Sequence, residues 1–121
     1  MGMRVLIVDD HPAFRRLAAV LLASGGYEVV GEAVDGEDAL RQVGRCHPDL
    51  VLLDVLLPGT NGFVVARRMA ERGDGPRVVL VSSADRGEFA SALAVIPVLG
   101  FLGKHELTLD RLAQLLEHDG S

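Results

Sequence analysis

Five short apolar runs, each followed by a stretch of helical periodicity or turn residues, constrain this 121-residue chain more than any other feature. The runs are Arg4–Val8, Glu28–Ala33, Leu50–Leu53, Arg77–Val81 and Val98–Leu102. Several are apolar throughout instead of alternating with polar residues, so both faces of those strands need covering. That favours an α/β fold built on a parallel sheet with helices on both sides, joined by right-handed crossovers. The length suffices for one core and is short for two.

Helical spacing fills the intervals. Phe14, Leu17, Ala18, Leu21 and Leu22 fall on one helix, stopped at Gly25-Gly26. Asp35-Gly36-Glu37-Asp38 opens a second helix through Ala39, Leu40 and Val43, limited by Pro48. A third runs from about Phe63 to Glu71, broken at Gly73-Asp74-Gly75-Pro76, and a fourth is expected from about Asp85 to Val95, before Pro97. Leu109, Leu112, Ala113 and Leu116 mark the last, followed by the tail Asp119-Gly120-Ser121. No repeat or linker interrupts the pattern.

Composition removes several classes of function. The formal net charge is -5 and no Lys/Arg run has the density of a nucleic-acid patch, so direct nucleic-acid binding is not expected. Met1-Gly2-Met3-Arg4 runs straight into an apolar strand with no signal-peptide core, and no stretch is long enough to span a bilayer; the expected location is cytoplasmic. Cys46 is the single cysteine, which rules out an internal disulfide and a cysteine-rich zinc site; it reads as a small residue near a helix end.

Chemistry-bearing residues gather at the carboxyl ends of the runs: Asp9-Asp10 after the first, Asp54 after the third, Ser82 after the fourth and Lys104 after the fifth. In open parallel sheets, ligands bind beyond these ends, near the point where strand order reverses. Two unit charges about 4 Å apart repel by roughly 4 kcal/mol at an effective dielectric near 20, so converging carboxylates need an offset. A raised pKa or a divalent cation would supply it, and an all-oxygen donor set favours Mg²⁺. Of the histidines only His11 is adjacent, and it reads as a loop residue, not a ligand. With the acids compensated, Asp54 can act as a nucleophile toward a phosphoryl group, Lys104 can supply positive charge and Ser82 a hydroxyl donor.

Val8-Asp9-Asp10-His11-Pro12, Pro48 to Gly62 with Asp54 at its centre, Val79-Leu80-Val81-Ser82 and Gly100-Phe101-Leu102-Gly103-Lys104 together resemble the response-regulator receiver domain of two-component signalling, and most of all the branch that often carries a helix-turn-helix output domain. The likeness covers nearly the whole chain, with the motifs in family order. It implies a flavodoxin-like receiver fold: a doubly wound, five-stranded parallel sheet in strand order 2-1-3-4-5 with five helices. It implies a single receiver domain over residues 1–121, with no output domain in this chain. Asp54 would be the phosphoacceptor; Asp9, Asp10, Asp54 and the backbone carbonyl of Leu56 would hold Mg²⁺. Lys104 would bind the phosphoryl group, Ser82 would be the switch hydroxyl, and Phe101 the switch aromatic that turns inward. The implied partners are a histidine kinase or phosphotransfer protein and a downstream protein or missing output domain. A homodimer through the face of the fourth helix and fifth strand is a further expectation.

Departures from the family pattern sharpen the picture. His105 follows Lys104 where many receivers have proline, and Gly103 before it suggests a mobile loop. Val95-Ile96-Pro97-Val98-Leu99 replaces residues that are commonly small and acidic, and reads either as extra core or as an apolar interface. Leu56 and Ala84, two residues beyond Asp54 and Ser82, offer no group to position an attacking water, which points to slow self-dephosphorylation. A haloacid-dehalogenase-like phosphatase would need a second Asp where Leu56 stands, and an FMN phosphate would be repelled by Asp9-Asp10. The alternative within the family is an atypical receiver acting as a phosphorylation-independent interaction module.

Overall fold

A computed structural model describes residues 2–73 and 75–119. Asp74 of the third turn, and Gly120 and Ser121 of the tail, lie outside the described residues. Strands β1 (Arg4–Val8), β2 (Glu28–Ala33) and β3 (Leu50–Asp54) alternate with helices α1 (Pro12–Ser24) and α2 (Gly36–Cys46). A two-stranded hairpin, β4 (Leu56–Leu57) with β5 (Thr60–Asn61), leads into α3 (Gly62–Ala70), β6 (Arg77–Ser82), α4 (Ala90–Leu93), β7 (Gly100–Gly103) and α5 (Leu109–Asp119). The main sheet is parallel, in the order β2-β1-β3-β6-β7. Counting only its five strands, this is the expected order 2-1-3-4-5, in a doubly wound α/β fold with five helices.

The period of two in each strand sorts the core into two layers. Leu6, Val8, Val51, Leu53 and Leu80 face Ala39 and Val43 of α2 and Val65, Ala66 and Met69 of α3. Val5, Ile7, Leu50, Leu52, Val79 and Val81 face Ala18 and Leu22 of α1 and Leu112 of α5. Because the central strands are buried on both sides, their apolar runs are continuous, as the sequence pattern requires.

Local chemistry sets the ends of the helices. Asp35 caps α2 by accepting the Asp38 amide at 2.8 Å, and Asn61 caps α3 by accepting the Val64 amide at 3.1 Å. Pro12 takes the first position of α1, where its missing N–H has no intrahelical partner to lose. Gly25 ends that helix, and Gly26 follows at φ 88°, where a side chain would be strained.

The fourth helix differs from the expected span of Asp85 to Val95. A 3₁₀ turn over Arg86–Phe89 precedes a four-residue α4. Asp85 makes no side-chain cap to that turn, and Gly87 weakens its first residues, by about 1 kcal/mol relative to alanine in a helix. The helix is therefore short, and residues 94–99 lead into the sheet as irregular chain. There Ile96 and Val98 pack partly buried on one core layer and Leu99 on the other, while Val95 is 70% exposed. Core packing thus accounts for Ile96, Val98 and Leu99. Strand β7 is assigned two residues later than expected, although the Leu99 amide already bonds the Val78 carbonyl at 2.7 Å. Among the described residues no helix is long and apolar enough to cross a membrane.

Candidate functional site

The ends of β1, β3, β6 and β7 meet at one edge of the sheet. The parallel register sets Val8 beside Leu53, Asp54 beside Val81, and Ser82 beside Gly103, so the residues that follow converge. Asp9 and Asp54 are buried, whereas the side chain of Asp10 is partly open to solvent. Ligating atoms of Asp9, Asp10, His11 and Asp54 all lie within 4.8 Å of one another.

Lys104 reaches into this group from β7. Its ammonium is 2.7 Å from Asp9 Oδ2 and 3.3 Å from Asp54 Oδ2, and donates a hydrogen bond to the latter. Toward Asp9 the contact is a close ion pair without hydrogen-bond alignment, so Oδ2 is a fully buried oxygen that accepts no hydrogen bond among the described residues. The other oxygen of Asp9 accepts the His11 amide at 2.8 Å and lies 3.0 Å from His11 Nδ1. Asp54 Oδ1 accepts the Leu56 amide at 3.3 Å.

Burial pushes Asp54 up from 3.8 to about 6, and the charge of Asp9 adds to the rise; the Lys104 ammonium and the Leu56 N–H pull the other way without cancelling it. Lys104 therefore offsets only part of the combined effect of burial and of the neighbouring carboxylate. The donor set, three converging carboxylates faced by a single ammonium, fits a small, oxygen-seeking divalent ion: Asp9, Asp10 and Asp54 would hold it.

Ser82 is buried, and its Oγ accepts the Ala84 amide at 3.0 Å. Phe101 already lies inside, 5% exposed, with its ring 6.0 Å from that of Phe89, which in turn meets Phe63 edge-on at 5.5 Å. This aromatic row runs from β7 to the first turn of α3. Gly62 begins that helix, and a Cβ there would lie 2.5 Å from the Asp54 carbonyl oxygen and 3.0 Å from Val55 Cα; its amide bonds the Val55 carbonyl at 2.7 Å.

The sequence of residues 5–117 matches the profile of the response regulator receiver domain. The chain belongs to the receiver-domain family. It is a receiver with an acidic pocket made by Asp9, Asp10 and Asp54, faced by Lys104. It is 41% identical over 116 residues to protein-glutamate methylesterase/protein-glutamine glutaminase 5 of Myxococcus xanthus, covering 93% of this chain and 33% of that protein. It is also 41% identical over 104 residues to the positive alginate biosynthesis regulatory protein of Pseudomonas aeruginosa, covering 84% of this chain and 41% of that one. This receiver thus spans less than half of either relative. Among solved structures, the signal receiver domain of a protein assigned as the response regulator NarL of Mycobacterium tuberculosis superposes with a TM-score of 0.85 at 34% identity, covering 99% and 98% of the two chains.

Three residues of this receiver's site region escaped the sequence reading. Arg15 donates to the Asp9 carbonyl at 2.7 Å and pairs with Glu32 at 3.0 Å, fixing the end of β1 to β2. Glu106 accepts the Gly103 amide at 3.0 Å, a tether on the loop at Lys104 that the expectation from Gly103 did not include. The signal was present as a glutamate three residues after the glycine, the spacing that lets a side chain reach back to a backbone N–H. Phe14 was assigned to the core by periodicity alone; its ring also lies under the Lys104 ammonium, 4.7 Å from ring centroid to Nζ.

Proposed function

We propose that this receiver accepts a phosphoryl group on Asp54 from a histidine kinase or phosphotransfer protein and thereby switches a protein-interaction surface. The observation that carries the reading is the buried Asp54 carboxylate, with its Oδ2 3.3 Å from Lys104 Nζ and the Asp9-Asp10 pair beside it. In the transfer, an Asp54 oxygen attacks phosphorus, the bond from phosphorus to the donor nitrogen breaks, and an acyl phosphate forms. Asp9, Asp10 and Asp54, with the backbone carbonyl of Leu56, are the proposed ligands of Mg²⁺, which when bound neutralises charge on the phosphoryl oxygens. Lys104 places positive charge on the opposite side. Ser82, whose Oγ accepts the Ala84 amide, donates its free hydroxyl proton to a phosphoryl oxygen, which draws in the loop after β6. Phe101 and the aromatic row carry that change toward α3 and the face of α4 and β7. The downstream partner is a separate protein or an output domain; a homodimer through the same face is the third form such a switch takes. The working location is the cytoplasm.

The test is mass measurement after incubation with Mg²⁺ and acetyl phosphate, repeated with Asp54→Asn. One phosphoryl adduct that is lost in the variant supports the proposal. Failure to form any adduct, with a cognate kinase as well, would sink it in favour of an atypical, phosphorylation-independent interaction module. Continuous release of phosphate from varied substrates would instead mark a phosphatase.

A further inference from the structure

We infer that Phe14 is a positioning residue for Lys104: its ring holds the ammonium over the acid pocket, where an incoming phosphoryl group needs it. The inference rests on the proposed phosphoryl role of Lys104. A lysine presents its charge on a flexible four-carbon stem, and the strongly hydrated ammonium gains by swinging into water. Here the side chain is only 16% exposed. Its root is fixed where the Gly103 amide bonds Glu106. Its tip meets Asp9 Oδ2 at 2.7 Å, Asp54 Oδ2 at 3.3 Å and the face of Phe14 at 4.7 Å.

The two carboxylates do not offer the ammonium a constant partner during transfer. A divalent ion held by Asp9, Asp10 and Asp54 would compete for their charge, and phosphorylation turns the Asp54 carboxylate into an acyl phosphate. Phe14 takes no part in either event. It stands on the first turn of α1, three residues beyond His11, and packs on the same core layer as Ala18 and Leu22. Its quadrupole attracts the cation whatever the charge of the pocket, and the attraction strengthens where water is excluded. The ring therefore retains Lys104 at the pocket while its anionic partners are being redistributed, which lowers the ordering that phosphoryl binding requires.

Phe14→Leu keeps an apolar side chain of similar bulk on the core and removes the ring; Phe14→Tyr keeps the ring. Two measurements on the folded, Mg²⁺-loaded protein test the role. The first is the NMR shift of the Lys104 ε-methylene protons, which the ring current moves upfield in the parent and in Phe14→Tyr but not in Phe14→Leu. The second is affinity for beryllofluoride, a phosphoryl mimic, expected to fall at least about five-fold in Phe14→Leu, the factor that the upper end of an exposed cation–π contact supplies, since this site is less exposed than that. Phe14→Tyr should restore it, and adding Phe14→Leu to Lys104→Met should cost nothing further. Unchanged affinity in Phe14→Leu, or an equal loss in the Lys104→Met background, would overturn the inference. If the parent protein itself takes up neither beryllofluoride nor phosphoryl, the failure lies with the proposed phosphoacceptor role.

Discussion

The Lys104 ammonium lies 2.7 Å from Asp9 Oδ2, although β3 and β6 separate the two strands that carry these residues. The charge thus crosses the open end of the sheet to reach a carboxylate with no exposure to solvent. Breaking a buried ion pair by removing one partner leaves an uncompensated charge, commonly at a cost of about 3 kcal/mol or more. Lys104→Met should lower stability by about that amount at pH 7 without metal, read by urea denaturation in chelator. Millimolar Mg²⁺ should recover most of the loss. Equal loss with and without Mg²⁺ would mean that the metal does not enter this pocket.

Asp54 gives the opposite sign. Folding raises its pKa from 3.8 to about 6, so the folded state holds the proton more tightly than the unfolded chain. The stability this group contributes is fully present only below 3.8, and it is lost as pH rises through about 6. A shift of that size corresponds to roughly 3 kcal/mol of penalty at neutral pH. In chelator, Asp54→Asn should therefore be more stable than the parent at pH 7, with the difference shrinking toward pH 4. A variant that is less stable than the parent at pH 7 contradicts this assignment.

Leu56 bears on how long the signal lasts. Its side chain is 59% exposed, two residues beyond Asp54, and it has no group to orient a water for attack on an acyl phosphate. Once the phosphodonor is removed, the adduct should persist for minutes or longer. Leu56→Asn should shorten its life by about ten-fold, less than the roughly 10²-fold of a full general acid or base, since an amide orients the water without taking its proton. Decay of the parent adduct within seconds would contradict the account.

Two neighbours in the segment before β7 should behave differently. Ile96 packs partly buried on the core, and Val95 projects into solvent. Ile96→Asp should cost about 2 kcal/mol of stability, and Val95→Asp less than about 0.5, both by denaturation monitored with circular dichroism. If Val95→Asp alters sedimentation or partner capture while leaving stability intact, the docking surface includes Val95.

The sequence made the sheet legible because its strands are continuous apolar runs, and the pocket legible because parallel order puts every strand's carboxyl end at the same edge. Asp9, Asp10, Asp54, Ser82 and Lys104 could be placed there from topology alone. Helix four was harder to read: periodicity registers apolar spacing but is blind to a missing cap at Asp85 and to the weakness introduced by Gly87. Arg15 and Glu106 were missed for a different reason. Each acts on a backbone atom: the Glu106 spacing to the Gly103 amide is a local signal that apolar periodicity passes over, whereas the reach of Arg15 to the Asp9 carbonyl has no such spacing to mark it. Phe14 shows a residue doing two jobs, of which hydrophobic spacing reports only the first.

Gly62 leaves no room between the start of α3 and the main chain at Asp54 and Val55. The acceptor strand and the next helix are thus in direct backbone contact, with no side chain between them to absorb a displacement by changing rotamer. A shift of the Asp54 main chain must push α3 as a rod, and a load on α3 from a bound protein must press back on the acceptor. Contact at the outer face of that helix would then alter how readily Asp54 takes or keeps its phosphoryl group, making this stretch of backbone a lever that works from either end.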